Sequence, residues 1–256
     1  MVAAELNYVT SGAQDAPVVV FTGSLGTDLA MWQTQSHRLA ERFRTVRYDI
    51  RGHGGSEVPP GPYTIDELGS DLLALLDRLG IERAFLCGLS IGGMISMWAA
   101  VHAPERVERL VLCCTSALLG PPEGWHERAA VVRERGVEAI ADAVLERWFT
   151  PGFAGDHPEV IERMRAQLIA TPAEGYAGCC EAIAAMDLTG DLPRISAPTL
   201  VLAGAEDPAT PPEHGRRIAE LIGGARMEVV SPAAHLATVE RPDLTTAMIL
   251  RFLCDE

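Results

Sequence analysis

The chain has 256 residues, 48% of them hydrophobic, enough for one large domain with a sizeable core. Its formal net charge of −14 gives an acidic surface that repels phosphate backbones and anionic headgroups, so neither nucleic acid nor a membrane is an expected partner. A small anionic substrate is not excluded, because a pocket can hold a local cation against the global field.

The opening segment, MVAAELNYVT, has no basic n-region or cleavage site and does not read as a signal peptide. Short apolar runs then alternate with helical periodicity. Strands are expected at Leu6–Thr10, Val18–Thr22, Thr45–Tyr48, Ala84–Cys87, Val107–Cys113, Thr199–Ala203 and Met227–Val230. The clearest helix carries Ile65, Leu68, Leu72, Leu75, Leu76 and Leu79 at three- and four-residue steps, with Thr64 as N-cap and Gly80 beyond its end. Such alternation predicts an α/β fold with a mostly parallel sheet covered on both faces, and reactive groups at the carboxyl ends of its strands.

Phe85 to Val101 carries no charge over 17 positions, near the lower limit for a membrane span. Gly88, Ser90, Gly92 and Gly93 interrupt it, which instead predicts a buried strand, a tight turn and a buried helix. The six cysteines (Cys87, Cys113, Cys114, Cys179, Cys180 and Cys254) match neither zinc-finger nor CxxC spacing and read as small buried residues in a reducing cytoplasm.

About 85 residues separate Cys113 from Thr199, far more than a crossover needs. Trp125–Arg135, Val137–Phe149, Pro158–Ala170 and Gly175–Met186 look helical. The expected organisation is therefore a core domain, 1–117 and 192–256, with a helical cap, 118–191, inserted over the strand ends.

Gly88-Leu89-Ser90-Ile91-Gly92 fits G-x-S-x-G. The pattern alone is weak, but it directly follows an apolar strand and directly precedes a helix. A serine on that turn adopts a strained backbone so that its hydroxyl clears the sheet. Strand and helix then pass so closely that the flanking positions tolerate almost no side chain, and the helix N-terminus aims free N–H groups at the reacting centre.

A serine hydroxyl needs a base. Of the seven histidines, His102 and His214 fall on expected helices and His126 and His157 in the cap, whereas His235 stands in a short loop after a late strand, beside small Ala233 and Ala234. The carboxylate that orients it is Asp207, after the strand Thr199–Ala203, with Glu206 a weaker alternative; the loop Cys114-Thr115-Ser116 offers no acid. The chain order Ser90, Asp207, His235 is that of α/β-hydrolases. Two oxyanion donors are expected, the N–H groups of Ile91 and of Leu25, each typically worth about 3 kcal/mol.

With these residues in place, the chain resembles the 3-oxoadipate enol-lactonases of protocatechuate and catechol (beta-ketoadipate) catabolism. The stretches carrying the likeness are Ser24–Trp32 (SLGTDLAMW), Asp49–Gly54, Cys87–Gly93, His102–Arg106, Leu145–Phe153 (LERWFTPGF), Asp207–Pro212 (DPATPP) and Ala234–Leu236. Gly23 stands where the family often has asparagine, and Leu118 where some members have a basic residue. The resemblance implies an α/β-hydrolase fold, lactone opening through an acyl-enzyme on Ser90, and no cofactor or metal. Trp148 and Phe149 are candidate pocket walls, and Arg51, Arg133 and Arg147 candidates for holding a substrate carboxylate.

Fold and triad leave other esterases, C–C hydrolases and perhydrolases open. A non-enzymatic ligand receptor on the same fold is the alternative of a different class. Dehalogenases and epoxide hydrolases use aspartate where this chain has Ser90.

Overall fold

The computed structural model describes residues 3–254. Met1 and Val2, which open the segment without signal-peptide features, and the last two residues of the expected core lie outside the described residues.

Among the described residues seven strands form one sheet: β1 (Tyr8–Ser11), β2 (Val18–Thr22), β3 (Arg44–Tyr48), β4 (Ala84–Leu89), β5 (Val107–Cys113), β6 (Thr199–Gly204) and β7 (Arg226–Val230). Their order is β1-β3-β2-β4-β5-β6-β7. Only β1 runs antiparallel, against β3, and the other pairings are parallel. Every expected strand is present. The first starts later than its apolar pattern suggested, because Leu6 is buried without joining the ladder.

β4 and β6 are buried along their whole length, as strands covered on both faces must be. The chain reverses direction across the sheet between β2 and β4, and in parallel sheets such a switch point opens a crevice at the carboxyl ends. Thr22 pairs with Gly88 at that boundary, so the loops after β2 and β4 emerge side by side.

Helix α1 is Gln33–Leu39, α2 is Ile65–Arg78 and α3 is Ile91–His102. The N-terminus of α2 is a reciprocal capping box: Glu67 N–H donates to Thr64 Oγ1 at 3.2 Å and Thr64 N–H donates to Glu67 Oε2 at 2.9 Å. α3 is buried from Ile91 to Val101, which explains its uninterrupted apolar sequence. Among the described residues no helix is long and apolar enough to cross a membrane.

Between β5 and β6 lie α4 (Pro122–Arg135), α5 (Ala141–Trp148), α6 (Pro151–Asp156), α7 (Pro158–Ile169) and α8 (Ala173–Ala185). The expected helix Val137–Phe149 is divided: Val137–Ile140 is a 3-10 turn, and α5 follows. α6 was not expected, since the six residues PGFAGD lack an apolar stripe; Thr150 starts it by accepting the Phe153 N–H. Entry and exit of this segment are tied together, with Leu118 bridged to Asp187 and Leu188 N–H donating to Ala117 O at 2.9 Å. The chain ends with α9 (Pro212–Leu221), α10 (Ala237–Glu240) and α11 (Pro242–Leu253).

Candidate active site

Ser90 sits between β4 and α3 with φ 57° and ψ −120°, a left-handed conformation that is uncommon and costly for a residue with a side chain. Its neighbours explain why the chain accepts it. A Cβ on Gly88 would collide with the Gly92 carbonyl, and one on Gly92 with the Thr22 carbonyl. The turn is thus squeezed between its own helix and β2. Ser90 N–H donates to Cys113 O at 3.0 Å, and Thr115 Oγ1 donates to Ser90 O at 2.6 Å, holding the turn from the β5 side.

His235 and Asp207 come from the loops after β7 and β6. The imidazole Nδ1–H donates to Asp207 Oδ2 at 2.9 Å. Both side chains are almost wholly withdrawn from solvent. The Asp207 carboxyl lies below the usual range: burial alone would raise it, but the His235 charge and hydrogen bond, with the donors of Thr210, outweigh that. The His235 loop is strapped to the segment after α5. His235 N–H donates to Arg147 O at 3.4 Å, Leu236 N–H donates to Trp148 O at 2.9 Å, and the buried Glu240 carboxylate accepts from Ala234 N–H at 3.0 Å and from the Thr150 hydroxyl.

Ser90 and His235 line one cavity of about 460 Å³ together with Ser24, Leu25, Trp125, Arg128, Arg147, Trp148, Tyr176 and Ile183, among others. The loop carrying Leu25 is fixed on both sides of that residue: Ser24 N–H donates to Met31 Sδ at 3.3 Å and Gly26 N–H donates to His53 Nε2 at 2.9 Å. Neither Leu25 N–H nor Ile91 N–H has a protein acceptor among the described residues. A Cβ at Gly23 would fall 2.9 Å from Thr27 Oγ1 and 3.1 Å from Met31 Sδ, so at this departure from the family the space of a side chain is taken by two neighbours.

Of the aromatic pair expected in the pocket, Trp148 lines the cavity and Phe149 does not. The backbone leaves α5 at Phe149 in extended geometry, φ −132° and ψ 147°, and the ring stacks on Phe153 with centroids 5.4 Å apart. Among the candidate arginines, Arg51 is buried in a fork on Asp71, its Nε 2.6 Å from Oδ2. Arg133 spans Glu174 and Glu181 on α8. Only Arg147 of the three reaches the cavity, where Arg128 joins it. Leu118 lies outside the cavity, and its side chain is half exposed.

Arg128 escaped the sequence reading because α4 is strongly polar and carries Arg128, Arg133 and Arg135 alike, with nothing in the pattern to single out the one that faces the cavity. Arg128 lies over the Trp125 ring at 4.7 Å and lines the cavity beside Tyr176. Burial holds that phenol well above its ordinary range despite the arginine. A turn hydroxyl facing the cavity, a carboxylate-oriented imidazole and two unused N–H groups are the elements of acyl transfer to water.

The profile of the alpha/beta hydrolase fold matches residues 16–242. 3-Oxoadipate enol-lactonase 2 of Acinetobacter baylyi is 46% identical over 237 residues, covering 93% of this chain and 88% of the relative. Enol-lactonase 1 of the same organism is 36% identical over 93% of this chain and 89% of its own length. The crystal structure of the enol-lactonase from Burkholderia xenovorans superposes with a TM-score of 0.96 at 45% identity, covering 98% of this chain and 97% of that one. Fold and sequence agree, and the chain belongs to the α/β-hydrolase fold family and, within it, to the group of the 3-oxoadipate enol-lactonases.

Proposed function

We propose that this protein opens 3-oxoadipate enol-lactone to 3-oxoadipate by way of an acyl-enzyme on Ser90. His235 takes the Ser90 proton as the oxygen attacks the lactone carbonyl, with Asp207 fixing its tautomer and stabilising the imidazolium. The N–H groups of Leu25 and Ile91 receive the oxyanion. Collapse breaks the ring C–O bond and releases the enol oxygen, which gains the proton from His235. Water, activated by His235, then cleaves the ester and returns the proton to Ser90. The enol tautomerises to the ketone, which draws the hydrolysis forward.

One observation carries the substrate class. Arg128 and Arg147 line the same cavity as Ser90 and His235 in a molecule of net charge −14. Two cations kept there against the global field suit a lactone bearing a carboxylate. Residues 118–191 act as the cap that supplies them, over a core of 1–117 and 192–256. The partner is this small molecule, without nucleic acid or membrane, in the cytoplasm.

The test is a substrate comparison. The carboxylate-bearing enol-lactone is expected to exceed p-nitrophenyl acetate in kcat/KM by at least about 100-fold, a gap of nearly 3 kcal/mol in transition-state binding. Equal values would leave only a general esterase. Absence of fluorophosphonate labelling at Ser90 in folded protein would favour a receptor.

A further inference from the structure

We propose that Thr210 is a positioning residue for the base, its hydroxyl holding Asp207 toward His235 and setting how strongly that carboxylate draws on the imidazole. This rests on the reading of His235 as general base.

The Asp207 carboxylate accepts four donors. Oδ1 takes Ala209 N–H at 2.8 Å and Thr210 N–H at 3.0 Å, the local turn expected of an aspartate followed by two or three residues with free amides. Oδ2 takes the Thr210 hydroxyl at 2.7 Å and His235 Nδ1–H at 2.9 Å. Thr210 is 1% exposed and Asp207 3%, so water does not compete for that oxygen. Thr210 Oγ1 also stands 3.4 Å from His235 Nδ1. Because Nδ1 carries its own proton, the hydroxyl hydrogen is committed to Oδ2.

One carboxylate oxygen therefore serves two donors, and each weakens its hold on the other. Without the hydroxyl, Oδ2 concentrates its charge on the imidazole and stabilises the imidazolium more, which moves the acid limb of activity upward. The lone pair of Oγ1 near Nδ1 acts the other way, but at 3.4 Å rather than 2.7 Å it is the weaker influence.

Other charged or titratable groups surround the pair. Cys114, whose Sγ lies 3.9 Å from Ala234 O, is held protonated by burial and by Asp207. Glu240 accepts the Ala234 N–H, Glu206 N–H donates to Ala233 O, and Arg128 and Arg147 share the cavity with His235.

The experiment compares full-length Thr210→Val, Thr210→Ala and Thr210→Ser on p-nitrophenyl acetate and in fluorophosphonate labelling across pH. Valine and alanine are expected to move the acid limb of kcat/KM upward by about half a unit to one unit and to lower kcat about tenfold. Serine keeps the limb in place. The low-field proton resonance of the His235–Asp207 bond should move further downfield in the valine and alanine variants. Alanine cannot clash and carries the test if valine is not accommodated. A folded alanine variant with the wild-type limb and resonance, and only a lower Tm, overturns the proposal. His235→Gln distinguishes the underlying reading: full labelling of Ser90 in that variant sinks the general-base assignment itself.

Discussion

His53 Nε2 accepts the Gly26 backbone N–H at 2.9 Å, which places the imidazole proton on Nδ1, 3.3 Å from Arg51 O. The histidine of the RGHG loop is thereby a fixed neutral tautomer, and it anchors the loop that carries Leu25. Burial depresses its pKa from 6.5 to about 4. The unfolded chain therefore binds a proton near pH 6.5 that the folded chain refuses until about pH 4, and stability falls as pH drops through that window. At the low end the loss reaches about 3 kcal/mol from this group. Urea titrations at pH 7 and pH 4.5 measure it. His53→Gln should flatten the pH dependence, and an unchanged slope would remove His53 as its source.

The strain at Ser90 can be separated from its chemistry. Ser90→Ala and Ser90→Gly both abolish turnover, but glycine relieves the left-handed φ of 57°. The glycine variant should be more stable than the alanine variant by about 1 kcal/mol or more, read as a difference in Tm. Gly92→Ala acts in the opposite sense. Its methyl meets the Thr22 carbonyl, and a loss of more than about 2 kcal/mol is expected.

Arg147 and Arg128 are expected to recognise charge without performing chemistry. Arg147→Gln should raise KM for a carboxylate-bearing lactone about tenfold or more while leaving a neutral ester within about twofold. Equal loss on both substrates would assign the Arg147 side chain to the shape of the site rather than to the substrate's charge.

Glu240 is the buried carboxylate of the strap. Glu240→Ala leaves the donors of Ala234 and Thr150 without an acceptor, so a loss of about 3 kcal/mol is expected. Because the unsatisfied amide belongs to the residue before His235, kcat should fall more than KM rises. A Tm within about 2 °C of wild type would contradict this account.

The sheet was legible because its inner strands, β4 and β6 above all, are buried on both faces and announce themselves as short apolar runs. Thr64 and Gly80 were legible because caps obey local rules. The convergence of His235 on Asp207 followed from loop placement after two expected strands. Phe149, Arg128, Thr210 and His53 were less readable for a common reason. Each owes its position to a partner distant in the chain or to a turn direction that composition does not encode. Arg128 meets Tyr176 only in the cavity, and His53 depends on Gly26. For Arg51, the sequence offered a free cation, whereas Asp71 and Glu67 on α2 already neutralise it.

The narrow neck at Leu118 and Asp187 has a consequence for engineering. Because the two ends of the segment between β5 and β6 lie side by side, a foreign segment can be grafted there without stretching the sheet. The graft would not be free in design. The amides of His235 and Leu236 bind the carbonyls of Arg147 and Trp148, so a replacement must bring two backbone oxygens to that spot or leave the histidine loop unmoored.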